Sequence, residues 1–187
     1  MAKALDKPPR RMTVDQFLSW LEEASEGKRY ELVAGEPVAM APEPAAHARL
    51  KAQVWLALHD EVEWRGLPCE AFPNGVTVKI DEHTAYEPDA VVHGDEALAD
   101  DAVIVAAPVI VVEVLSPTTR ARDAGAKLAD YFRLPSVRHY LLVQTERRTV
   151  IHHRRGDGGD IETRTVTGGA LDLDPPRLSL DLDQIYA

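Results

Sequence analysis

The segment Val109-Ile110-Val111-Val112-Glu113-Val114-Leu115 constrains this chain more than any other. Its apolar, mostly β-branched residues run on without alternation. That is the pattern of a central strand covered on both faces, which demands further layers on either side. Glu113 breaks the run. A carboxylate inside such a strand is costly unless a cation or a partner compensates it. It is therefore either paired near the strand end, to an arginine or to solvent, or committed to a metal.

Other elements can be read around this strand. Thr13 and Gln16 have the form of a capping box, and Phe17, Leu18, Leu21 and Ala24 recur at helical spacing, which predicts a helix over 13–26. Tyr30-Glu31-Leu32-Val33 alternates like a strand, Ala34-Gly35-Glu36 forms a turn, and 37–40 is the partner strand. Leu50, Val54, Leu58 and Val62 stand four apart and predict a second, longer helix over 45–64 with one buried stripe. Short strands follow, the clearest over 76–80, and another is entered through Pro88-Asp89. Beyond the central strand a helix is expected from Arg120 to Phe132, then strands over 137–143 and 149–153 and a turn over 156–159.

The order of elements is that of a mixed α+β fold, with a central mixed β-sheet flanked by helices, an extra N-terminal helix and β-hairpins. At 187 residues it fits a single domain. Residues 1–12 are expected to be a flexible N-terminus, 13–155 the core, and 156–187 an acidic C-terminal tail with a last strand and turn.

One cysteine, Cys69, excludes an internal disulfide framework and a cysteine-clustered zinc site. No stretch approaches the ~20 apolar residues needed to span a membrane, and 1–11 does not resemble a signal peptide, so a cytoplasmic protein is expected. A net charge of −10 argues against non-specific coating of nucleic acid. The charge is unevenly placed. Residues 81–113 hold nine acids and no Lys or Arg, whereas 114–155 hold nine Lys or Arg and three acids. A segment able to hold a cation thus abuts one able to hold a phosphodiester, although solvated faces give the same clustering.

Asp89 and Glu113, placed on neighbouring strands, form the paired oxygen donors that Mg²⁺ prefers. Asp123, Lys127 and Tyr131 share one face of the following helix at i, i+4 and i+8. An ordinary surface ion pair explains Asp123 and Lys127 equally well. A lysine there can also reach back to Glu113, to orient or deprotonate a water or to stabilise charge on a phosphate. His152-His153-Arg154-Arg155 and Arg147-Arg148 read as a solvated hairpin, with contact to a nucleic-acid backbone as the alternative. The histidines show no metal-ligand spacing.

The series Arg29-Tyr30-Glu31-Leu32-Val33-x-Gly35-Glu36, His47, Glu87-Pro88-Asp89, Val111-Val112-Glu113-Val114-Leu115-Ser116-Pro117 and Asp123-x-x-x-Lys127-x-x-x-Tyr131 resembles the Uma-type restriction endonucleases. These belong to the PD-(D/E)XK superfamily, and the resemblance covers residues 13–155. It implies a restriction-endonuclease-like core and a Mg²⁺-dependent endonuclease acting on DNA, with Mn²⁺ as a substitute metal. Asp89, Glu113 and the Val114 carbonyl are then the metal ligands. The superfamily's lysine, two residues after the glutamate, is replaced here by Leu115, and the resemblance moves its role to Lys127. Glu31 is implied as a holder of a second cation or its water shell, against the alternative of an exposed edge residue. His47 is implied as a donor to phosphate, against that of a helix-start histidine without consequence. Cutting both strands of a duplex would suit a homodimer. The competing reading keeps the fold without turnover, as a nucleic-acid-binding or regulatory module.

Overall fold

The computed structural model describes residues 11–24, 28–94, 97–115 and 124–187. Most of the expected flexible N-terminus, and the Ser116, Pro117 and Asp123 of the motifs, lie outside these residues.

Helix α1 (Val14–Ala24) begins at the expected capping box. The Thr13 amide donates to Gln16 Oε1 at 3.0 Å and the Gln16 amide to Thr13 Oγ1 at 3.2 Å. Hairpin β1 (Tyr30–Val33) and β2 (Glu36–Ala39) follows. Its turn needs left-handed backbone at Ala34 and Gly35. A Cβ on Gly35 would also come within 2.5 Å of the Arg11 side chain, so glycine is required there twice over. Helix α2 (Ala45–Arg65) buries the expected stripe of Leu50, Val54, Leu58 and Val62 and stops at Gly66 in the left-handed region.

Strands β3 (Glu70–Pro73), β4 (Val78–Lys79), β5 (Ala85–Tyr86), β6 (Ala90–His93) and β7 (Pro108–Leu115) come next. The strand expected over 76–80 is shorter than its pattern, because Thr77 instead makes a single bridge to Ile104. Helix α3 (Ala124–Tyr131) links β7 to its parallel neighbour β8 (His139–Gln144), and β9 (Val150–Arg155) and β10 (Ile161–Val166) complete that side.

A six-stranded sheet runs β10-β9-β8-β7-β6-β3, antiparallel except at β7–β8, and a smaller sheet runs β2-β1-β5-β4. The central sheet is therefore mixed, and β7 lies inside it. Side chains alternate across β7. Ile110, Val112 and Val114 join the core beneath α2, and Val111 and Leu115 join the core that also takes Tyr131 and Phe132 around α3. The residue between Val111 and Leu115 on the second face is Glu113, so the strand's period of two aims it at α3.

The chain beyond residue 160 is more structured than a tail. Strands β11 (Ala170–Leu173) and β12 (Leu178–Asp181) form a hairpin, and α4 (Leu182–Ile185) follows. Leu171, Leu173, Leu178, Leu180, Leu182 and Ile185 are buried in the same core as α2. The hairpin expected to be solvated at 147–155 is so only in part: Arg147, Arg148 and Arg154 are exposed, but others turn inward. His152 and His153 are buried, the Arg155 guanidinium donates to the carbonyls of Val137, Phe132 and Leu134, and Arg148 pairs with Asp183.

A chain of hydrogen bonds fixes the tautomers of two buried histidines. His139 Nε2–H donates to the Pro175 carbonyl at 3.0 Å, which leaves Nδ1 to accept from His152 Nε2–H at 2.8 Å. His152 Nδ1 accepts from Arg164 at 3.1 Å. Both rings are held neutral. Burial, with the cationic Arg154 and Arg138, lowers His139 to about 4, and burial, with His139 and Arg164, lowers His152 to about 3. An unfolded histidine titrates near 6.5, so the unfolded chain takes up protons first as the pH falls. This contribution to stability is complete above about 6.5 and is lost from there down towards 4. Denaturant unfolding at pH 7.5 and pH 4.5 should show a loss of about 5 kcal/mol from this pair. The double variant His139→Gln, His152→Gln should be less stable at pH 7.5 but show a flatter acid slope. An unchanged slope would assign the acid sensitivity to other groups.

Candidate functional site

The ladder between β6 and β7 ends at Ala90 and Val112. One step further the strands diverge, and the backbone groups of Val114 on that side lose their strand partner. Side chains replace it. The Val114 amide donates to Asp89 Oδ2 at 2.7 Å, and the Val114 carbonyl accepts from His47 Nε2 at 2.6 Å. Asp89 is held at the fork by its own amide as well, which donates to the Val112 carbonyl at 3.0 Å. The Pro88-Asp89 pair thus opens β6 and plugs the gap that its divergence creates.

On the α3 face, Lys127 and Tyr131 lie one turn apart and both turn to Glu113. Lys127 Nζ donates to Glu113 Oε1 at 2.9 Å and to Glu31 Oε1 at 2.8 Å, and the Tyr131 hydroxyl donates to Glu113 Oε1 at 3.0 Å. Glu31 comes from β1 of the smaller sheet, where the Glu87 amide also donates to it at 3.2 Å. It is no exposed edge residue: its side chain is 12% exposed, as is that of Glu113. The lysine ammonium also sits 5.0 Å above the ring of Tyr86, whose hydroxyl donates to Asp130 at 2.6 Å.

The α2 face brings residues that sequence reasoning overlooked. Lys51 Nζ lies 2.9 Å from Asp89 Oδ1 and 2.9 and 3.0 Å from the two oxygens of Glu43. Glu43 also approaches His47 Nδ1 at 3.3 Å and Arg29 at 3.4 Å, and Arg29 pairs with Glu87 at 2.8 Å. The spacing Glu43, His47, Lys51, four apart twice, was the available signal. Lys51 and His47 are only 5% and 7% exposed.

The structure therefore gathers Asp89, Glu113, Lys127, Glu31, His47 and Val114 at the end of β7. Among the described residues, however, no three His, Cys, Asp or Glu side chains are already arranged around one point as a metal cluster. Ammonium groups and a ring N–H stand between the oxygens instead. The five carboxylates, Glu31, Glu43, Glu87, Asp89 and Glu113, face three permanent cations, Arg29, Lys51 and Lys127. An excess of negative charge remains.

Burial dominates the titration behaviour, and the neighbouring charges modify it. Burial pushes the Glu113 carboxyl up to about 7, with Asp89 and Glu31 adding to the effect against the opposing pull of Lys127. Burial opposes the charge on Lys127, but Glu113 and Glu31 outweigh it and hold the ammonium more firmly protonated than usual. Burial, then Glu113, likewise keeps the Tyr131 hydroxyl protonated. For Glu43, Lys51 outweighs burial and holds the carboxyl below its ordinary range. Chemically, the site offers hard oxygen donors, surplus negative charge and N–H donors poised beside them, a set suited to a divalent cation and a phosphate together.

Comparison with known proteins identifies the family and the fold. The Uma2 family model, described as "Putative restriction endonuclease", matches residues 14–183. An uncharacterised protein of Synechocystis sp., slr1290, is 26% identical over 188 residues, covering 100% of this chain and 97% of the relative. A crystal structure of a "putative nuclease belonging to DUF820" from Anabaena variabilis superposes with a TM-score of 0.69 at 17% identity, covering 94% of this chain and 97% of the other. The mixed sheet with its flanking helices is thus shared with a solved structure. No helix among the described residues is long and apolar enough to cross a membrane.

Proposed function

The chain belongs to the Uma2 family, and on that premise we propose that it is a Mg²⁺-dependent nuclease hydrolysing DNA phosphodiester bonds at the end of β7. The observation that carries the reading is the fork itself. Asp89 is anchored to the Val114 amide at 2.7 Å, and the adjacent Glu113 meets the ammonium of Lys127 at 2.9 Å.

Asp89, Glu113 and the Val114 carbonyl would hold the metal, and Glu31 would add a further oxygen. Their fit to Mg²⁺ rests on the hard-oxygen donor set and on the excess of carboxylates over cations around it. When bound, the ion supplies Lewis-acid stabilisation of phosphate charge and a more acidic water. Lys127 acts as an ammonium, because its two carboxylate partners keep it protonated. It donates to phosphate or orients water, and it does not serve as the base that abstracts a proton. His47 Nε2–H donates to one lone pair of the Val114 carbonyl and leaves the other for a cation; a turn of the ring would let it donate to a phosphate oxygen instead.

The test is supercoiled plasmid incubated with purified protein and Mg²⁺, with EDTA and with EDTA followed by excess Mg²⁺. Nicking or linearisation that stops with chelator and returns with metal is expected. Metal binding without cleavage of duplex, single-stranded DNA or RNA would replace this reading with that of a regulatory module on the same fold.

A further inference from the structure

Lys51 sits on the buried face of α2, one turn beyond His47, in a stripe otherwise filled by Leu50, Val54 and Leu58. A leucine would suit that register and incur no charge burial. An interior ammonium costs several kcal/mol unless its partners compensate it. Here two carboxylates compensate it: both oxygens of Glu43 accept from it at 2.9 and 3.0 Å, and Asp89 Oδ1 forms an ion pair with it at 2.9 Å. Asp89 Oδ2 is meanwhile committed to the Val114 amide. The oxygen of Asp89 that faces away from the backbone is thus covered by a cation belonging to the protein.

We propose that Lys51, tethered by Glu43, is an internal counter-ion that competes with the divalent cation for Asp89 and so sets the metal affinity of the site. The inference rests on Asp89 being a metal ligand. An ammonium beside Asp89 repels an incoming dication, and with both Glu43 oxygens already holding it, the lysine can give up Asp89 without becoming unpaired. Glu43 therefore favours release and Asp89 favours retention. Lys51 is a positioning residue, acting on the ligand and not on substrate.

The two variants of this pair should move metal affinity in opposite directions, which a merely structural ion pair would not do. The experiment uses the full chain and Mn²⁺ alone, without nucleic acid, followed by calorimetry and by thermal unfolding. Lys51→Met is expected to bind Mn²⁺ about tenfold more tightly, with a larger rise in unfolding temperature on adding metal than wild type shows. Glu43→Gln, which leaves the ammonium to Asp89, is expected to bind about threefold more weakly. Lys51→Arg keeps the charge and should stay near wild type. Lys51→Met, Asp89→Asn should lose the gain.

Unchanged or weaker binding by Lys51→Met, with wild type binding normally, overturns the counter-ion role and leaves the metal site standing. Absence of Mn²⁺ binding in wild type and Lys51→Met alike overturns the metal site as well. If Lys51→Met does not fold, Glu43→Gln and Lys51→Arg decide: equal or tighter binding by Glu43→Gln overturns the proposal.

Discussion

On the proposed function, Glu113→Gln should reduce plasmid cleavage by about two to three orders of magnitude, the scale of losing one preorganised electrostatic contact in an enzyme site. Glutamine is nearly isosteric and keeps an oxygen that can accept from Lys127 and Tyr131, which now donate to Oε1 at 2.9 and 3.0 Å. What it removes is the charge, and with it the tightest reason for a dication to occupy the end of β7. Mn²⁺ binding should fall with cleavage. Stability should change less: Lys127 keeps Glu31 at 2.8 Å, so its ammonium does not become an orphan. A cost of roughly 1–3 kcal/mol follows from weakening one charge-assisted contact. Full cleavage by a folded Glu113→Gln protein would move the catalytic metal away from this strand.

Lys127→Met should produce the second large effect, with the opposite pattern in metal binding. The variant leaves Glu31 and Glu113 facing each other without the ammonium that now bridges them at 2.8 and 2.9 Å. Breaking a buried pair by removing one partner typically costs about 3–5 kcal/mol. The metal-free protein should therefore unfold at a clearly lower temperature. Divalent cations should restore part of that loss, because they replace the missing positive charge. Cleavage should still fall by about 10²–10⁴-fold if Lys127 donates to phosphate or positions water. Metal retained with cleavage lost separates Lys127 from the ligands. Metal and cleavage both lost would reduce Lys127 to a structural counter-ion, and cleavage retained would point to Lys51 as the lysine that serves the phosphate.

The sequence was most informative where one physical rule dominated. The continuous apolar run of β7 announced a strand covered on two sides, and the single carboxylate in it pointed to the candidate site, because few structural roles justify that cost. The stripe of α2 and the capping box of α1 were legible for the same reason, since periodicity and local hydrogen bonding leave little choice. The hairpin of β11 and β12 was less evident. Leu171, Leu173, Leu178 and Leu180 alternate with polar residues at the strand period, but the acidity of the segment and the paired prolines between its halves masked the pattern. His152 and His153 read as solvated because a histidine's burial depends on tertiary partners, here His139, Arg164 and Thr163, that no local window contains. Lys51 and Glu43 escaped for a related reason. Attention lay on lysines downstream of Glu113, whereas the fork between β6 and β7 is filled from α2, which precedes both strands in the chain.

The packing of α2 against the C-terminal hairpin and α4 has a consequence for biosynthesis. His47 and Lys51 leave the ribosome early, yet the apolar bed of the helix that carries them, begun by Ile110, Val112 and Val114, is complete only when Leu171, Leu173, Leu178, Leu180, Leu182 and Ile185 have been translated. A nascent chain that has emitted every residue of the fork but stalls before Ala170 carries α2 without its last supporting layer. Premature stop codons in that stretch should therefore yield aggregates or protease substrates, and not a shortened but folded protein.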